Sequence, residues 1–211
     1  MQQSALPNNY LRMRDAMERE FLRYPQERMI RQFRLAHDRE FLYLNFAGLP
    51  YRIHRASGRV SPAGGPERGG HADYNVSMTI FDVLCCASPG CRLAGRFEPI
   101  HSVKGVPRTA AVGSGLFAEA AGYFAGRCAE LRDACEQLGG TPSDAAGDVS
   151  YRLPLFEFLP VILQFWDADE EFPAGLKWMW DENILDFMHF ETTFFAANHL
   201  LERLKRLCSG G

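Results

Sequence analysis

The chain is 211 residues long, 46% apolar and 23% charged, with a formal net charge of −3. That length supports one substantial core. The slightly acidic balance argues against nucleic acid or an anionic membrane surface as partner. No apolar run approaches the roughly 20 residues of a spanning helix, and residues 1–9 lack the apolar centre of a signal peptide, so the expected location is the cytoplasm.

A first helix is expected from a cap at Asn8 or Asn9 to about Tyr24, with Tyr10, Met13, Met17 and Phe21 on one face. A short helix follows Pro25. Residues 40–46 and 51–55, around Ala47-Gly48-Leu49-Pro50, read as a β-hairpin, with a further short strand near Val60. Residues 61–75 are rich in Gly and Pro and read as a loop. The spacing of Val76, Ile80 and Leu84 predicts a helix over 76–86, and a strand is expected over 97–103. The longest helix is expected over 114–138, stopping at Gly139-Gly140. Its buried stripe would be Phe117, Ala121, Phe124, Cys128, Leu131, Cys135 and Leu138. After a loop at 141–147 come strands at 151–156, 159–166 and 176–180. The last helix would be capped by Thr192 and bury Phe194, Ala197, Leu201, Leu204 and Cys208. Strands and helices fall in blocks rather than strict alternation. The expected class is α+β in a single domain: a mixed or antiparallel sheet, an N-terminal helical segment and helices packed on the sheet.

The most informative stretch is 159–173. A near-continuous apolar run reads as a strand buried on both faces. It then meets Asp167, Asp169, Glu170 and Glu171, closed off by Phe172-Pro173. Hard oxygens in that density would suit Mg²⁺ or Ca²⁺, but an EF-hand loop starting at Asp167 would need Gly where Phe172 stands. A solvated turn, a recognition surface and a metal site are the readings in competition.

The remaining chemistry-bearing residues are scattered. Cys85, Cys86 and Cys91 form C-C-x4-C, without the C-x2-C pairs of a zinc site. Cys91, in the turn Ser88-Pro89-Gly90-Cys91, is the thiol expected to be exposed. His189 lies just before the last helix, while His199 is expected to be solvated on the side opposite the apolar stripe. Residues 113–118 satisfy G-x-G-x-x-A, which reads as helix-start chemistry because no acidic residue ends a following strand. Trp166, Trp178, Trp180, Phe172, Phe187, Phe190, Phe194 and Phe195 crowd the last third, as core or as a pocket for a planar cofactor. Phe195 falls off the stripe and needs a loop or a partner to cover it.

The run Trp166-Asp-x-Asp-Glu-Glu-Phe-Pro173 resembles the strongest motif of the DUF3786 domain. Supporting matches are Asn9-Tyr10, Leu44-x-Phe46-x-Gly48-x-x-Tyr51-x-Ile53, Gly58-x-Val60 and Leu93-Ala94-Gly95-Arg96-Phe97. Leu138-Gly139-Gly140, Gly147-Asp148-x-x-Tyr151 and the aromatic-x-x-x-Glu that ends at Glu191 also fit. The resemblance implies a compact domain of undetermined function, largely of anaerobic bacteria and archaea. Some members carry an added four-cysteine iron-sulfur module that this chain lacks. The chain departs from the pattern at Lys177-Trp178-Met179-Trp180 and at Met188-His189. The expected role is a non-catalytic binding or accessory module in anaerobic redox or one-carbon metabolism, with a protein partner or a small-molecule cofactor. The alternatives are a metal-dependent enzyme using the acidic turn and a carrier for a planar cofactor such as a tetrapyrrole. The candidate ligand- or partner-binding residues are Trp166, Asp167, Asp169, Glu170, Glu171, Phe172, His189 and Glu191. The residues assign no catalytic group, metal ligand or cofactor.

Overall fold

The computed structural model describes residues 6–65, 69–106 and 114–210. Its framework is an antiparallel sheet whose path begins with β2 (Phe41–Phe46) and β3 (Leu49–His54). Alternation buries Leu42, Leu44 and Phe46 on one face while Asn45 faces solvent. The two-residue turn Ala47-Gly48 has positive φ at both positions (49° and 75°), the geometry that suits the right-handed twist of paired strands. β4 (Val60–Pro62) pairs with β3 and ends the sheet on that side.

The other half holds β7 (Val149–Phe156), β8 (Leu159–Trp166), β9 (Gly175–Asp181) and β5 (Phe97–Pro99). The order is β4-β3-β2-β7-β8-β9-β5. Two-residue strands β1 (Ala36–His37) and β6 (Thr141–Pro142), absent from the sequence reading, pair with β2 and β7. The halves meet at one bridge, Phe46 opposite Phe156. A bulge in β7 between Pro154 and Phe156 frees the Leu155 carbonyl, which accepts the Ala47 N–H at 2.9 Å.

The 159–166 run is central, as its composition predicts. Leu159, Val161, Leu163 and Phe165 are fully buried on the face that carries the helices. Ile162 and Gln164 point to the other face, still buried but outside the main core cluster. Trp178 and Trp180 of β9 join the core, and so does Phe187, which turns these three of the eight clustered aromatics into packing.

Seven α-helices lie among the described residues. α1 (Leu6–Phe21) starts before Asn8 and Asn9, so neither caps it, and it leaves Tyr10 and Met13 about half exposed. Buried Phe21 and partly buried Met17 anchor its second half, and Tyr10 packs on Tyr74 with ring centroids 4.8 Å apart. α2 (Gln26–Phe33) follows Pro25. The helix expected over 76–86 is two pieces, α3 (Tyr74–Phe81) and a π-helical turn at Asp82–Cys86. The strand expected over 97–103 stops at Pro99, where a 3₁₀ turn takes over.

The expected helix 114–138 is also two: α4 (Ser114–Phe124) and α5 (Cys128–Gln137). Gly126 breaks it with φ +71°, a conformation that costs a glycine nothing. Its freed N–H is held by Asp167 Oδ1 at 2.8 Å. Gly113, the first residue of the G-x-G-x-x-A match, lies outside the described residues. After the short α6 (Ile184–Phe187), α7 (Phe190–Cys208) is the longest helix and packs on α3, α4 and α5, while α4 lies on β9 and α5 on β7. The N-cap position of α7 is His189, not Thr192, and its buried stripe is Thr192, Thr193, Ala196, Ala197, Leu200, Leu201 and Leu204. Phe194 and Cys208 are only partly covered. No helix among the described residues is long and apolar enough to cross a membrane.

Candidate functional site

The acidic turn is built from inside. Asp167 Oδ1 accepts the N–H groups of Gly126 and Ala168, both at 2.8 Å, and Cys128 Sγ lies 3.5 Å from Oδ2. Its own N–H goes to Asp148 Oδ2 at 2.8 Å. The Gly126 and Ala168 bonds and the Cys128 thiol hold the Asp167 carboxyl below its ordinary value, the Gly126 bond first, with burial opposing. Asp169 Oδ1 closes the next turn by accepting from Glu171 and Phe172 at 2.8 and 2.7 Å. One oxygen of each aspartate, Oδ1, is thus committed to the backbone. Glu170, Glu171 and Phe172 are exposed, Phe172 by 66%. Trp166 lies half-buried on the outer face of the sheet with the Lys177 ammonium 5.1 Å from its ring centroid. His189 and Glu191 are elsewhere, at the start of α7. The eight candidates thus divide between two regions.

The thiols also differ from expectation. Cys86 is the exposed one, and Cys91 is half-buried with Gln32 Nε2 3.0 Å from its sulfur. Cys128, expected in the core, sits half-buried at the start of α5 beside Asp167. Burial, followed by the nearby Asp82 carboxylate, pushes the Cys86 thiol up to about 11.

His189 keeps its interest through an unexpected partner. Its backbone N–H donates to Asp82 Oδ2 at 2.9 Å, and its Nδ1 lies 2.5 Å from Asp82 Oδ1. Asp82, Cys86 and His189 hold their ligand-type atoms within 4.8 Å of one another. Glu191 is exposed in the first turn of α7.

Ten residues along α7 lies a cleft that sequence reasoning missed. It measures about 380 Å³ and opens between α7, the start of α3 and strands β3 and β4. Leu49, Tyr51 and Val76 give it apolar walls, and Phe195, 46% exposed, stands at its margin. His199, expected to be solvated, instead stacks on the core ring of Phe46 with centroids 4.9 Å apart. Its Nε2 is buried and has no hydrogen-bond partner, and the same holds for Arg203 Nε.

The electrostatics are those of a site short of negative charge. Burial drives the His199 imidazole down to about 4, helped by the guanidiniums of Arg203 and Arg206 and opposed by Asp73. Burial and the neighbouring Arg206 also lower Arg203. The acids that face the cleft are engaged: Asp73 Oδ1 caps α3 through the Asn75 N–H at 2.9 Å, and Glu202 pairs with Lys205 at 3.1 Å. The Arg206 side chain has no hydrogen bond or ion pair among the described residues.

The position 195–206 carried a legible hint, since Phe195, His199, Glu202, Arg203 and Arg206 share one side of a helix whose opposite side is apolar. Against the protein-family models, the chain matches the domain of unknown function DUF3786 over residues 27–203. The chain belongs to the DUF3786 family. No curated protein and no solved structure matches it. The DUF3786 match spans the π turn, the acidic turn and the cleft apart from Arg206, and it leaves residues 1–26 and 204–211 outside.

Proposed function

We propose that this DUF3786 protein is a non-catalytic binding or accessory module in anaerobic redox or one-carbon metabolism, and that the α7 cleft is its ligand site. The setting comes from the family resemblance and the binding role from the cleft. The ligand is a small anion, a carboxylate or a phosphate ester, whose apolar part lies on Phe195. One observation carries this reading: His199 and Arg203, which line a cleft of ligand size, each keep a nitrogen, Nε2 and Nε, buried in its wall with no hydrogen-bond partner among the described residues. A buried polar group left unpaired costs about 1–3 kcal/mol, so an acceptor placed between them recovers that loss. An anion also relieves the mutual repulsion of Arg203 and Arg206.

Phenyl phosphate and inorganic phosphate serve as probes, with the imidazole resonances of His199 as readout. Phenyl phosphate should shift them saturably and bind more tightly than phosphate, because only the ester covers Phe195. The bound anion should lift the His199 pKa from about 4, so affinity rises as the pH falls. Arg203→Met, which keeps the stem and removes the guanidinium, should abolish the shift. Absence of a saturable shift, or an unchanged one in Arg203→Met, overturns the reading.

A further inference from the structure

At the other end of the same helix pair, α3 runs antiparallel to α7, with Asp73 near His199 and Asp82 near His189. The chain leaves α3 through a π turn, and the reason is packing. Ile80, Phe81, Val83, Leu84 and Cys85 are all buried, an arc too wide for one face of an ordinary helix. The wider π turn keeps these side chains inside, and Asp82 and Cys86, four residues apart, share the side that remains. Single π turns of this kind recur at functional sites. Cys85 next door is 3% exposed and engaged in the core, so only Cys86 offers a sulfur to the surface.

We propose that Asp82, Cys86 and His189 form a binding site for a first-row divalent transition ion of the zinc and cobalt class. The three atoms are an oxygen, a sulfur and an imidazole nitrogen within 4.8 Å of one another. Sulfur and imidazole select against Mg²⁺ and Ca²⁺ and suit a borderline ion in tetrahedral coordination. The site is held before any ion arrives. Asp82 fixes the His189 backbone through the 2.9 Å bond, which anchors the imidazole to the first turn of α7. The Asp82–Nδ1 hydrogen bond occupies the centre and gives way on loading, with the ring proton carried on Nε2. The Cys86 thiol releases its proton to solvent as the thiolate binds. The His189 side chain is 66% exposed and Cys86 is exposed, which leaves the fourth position open to water or to an incoming ligand. This site stands on residues separate from the anion cleft and does not depend on it.

Cobalt(II) titrated into the reduced, full-length protein tests the assignment. One equivalent should give the visible bands of tetrahedral cobalt and a near-ultraviolet thiolate charge-transfer band, and zinc should displace both. Cys86→Ser should remove the charge-transfer band, and His189→Gln should weaken cobalt binding by at least about tenfold. Cys91→Ser should leave the spectrum unchanged. Circular dichroism identifies a variant that fails to fold, in which case the other ligand variant decides. Bands that are absent at one equivalent, or that persist unchanged in Cys86→Ser or His189→Gln, overturn the proposal.

Discussion

Two central strands end in acid, and the two endings are opposite in kind. β8 releases Asp167 into a turn with three more carboxylates, two of which, Glu170 and Glu171, face water. β9 ends on Asp181, followed only by Glu182; it is 0% exposed and accepts three backbone N–H groups, from Ala94 at 2.9 Å, Gly95 at 2.8 Å and Asn183 at 3.0 Å. That carboxylate ties the 92–95 loop to the sheet. The Ala94-Gly95 pair it holds belongs to one of the segments that carry the family resemblance. What decides a carboxylate's role here is the number of backbone donors aimed at it, not how many acids stand beside it.

The largest expected effect tests the buried end. Asp181→Ala leaves three donors without an acceptor in the interior and should cost about 3–5 kcal/mol in urea unfolding. A loss below about 1 kcal/mol would break the comparison, because the loop would then stand without its anchor.

Asp167 belongs between the extremes. Asp167→Ala frees the Gly126 and Ala168 N–H groups near solvent, where water can replace the lost acceptor, so a loss of about 1–2 kcal/mol is expected. Its folded-state pKa is depressed, so the contribution is complete above the ordinary value of 3.8 and disappears as the pH falls through the lower folded value. The gap between wild type and variant should therefore narrow in acid. A gap that widens below that value would assign the stabilisation to something other than the charged carboxylate.

At the small end, replacing Glu170 and Glu171 together with Gln should change stability by less than about 0.5 kcal/mol. A melting temperature lowered as much as by Asp167→Ala would mean that the whole turn, rather than its aspartates, supports α5.

The sequence made the apolar framework readable. Leu159 to Trp166 announces a central strand by composition, and blocks of strands and helices imply α+β with a mixed or antiparallel sheet, of which the antiparallel form is the one present. Breaks caused by distant partners were not readable. The stripe through Phe124, Leu131 and Leu138 continues in phase across Gly126, and the residue that captures the Gly126 N–H is 41 positions away. Cys86 lies opposite the Val76-Ile80-Leu84 stripe even at a period of 3.6, and what stayed hidden was its distant partner His189. His199 looked solvated because one helix face says nothing of what covers it, and the cover is Phe46 from a strand far earlier in the chain. Asp181 carried no local sign: an Asp-Glu pair at a strand end is ordinary, and the meaning of Asp181 lies in the loop folded over it.

The ends of the sheet carry one further consequence. β4 and β5, its outermost strands, are three residues each, and both finish in proline, at Pro62 and Pro99. Proline has no N–H to offer a neighbour, and so short a strand presents only a few free backbone groups. Neither outermost strand therefore offers a second copy of the chain more than a short template on which to add a strand. Backbone pairing is thereby disfavoured at these two strands, and the helices and the broad faces of the sheet are the larger surfaces left for contact.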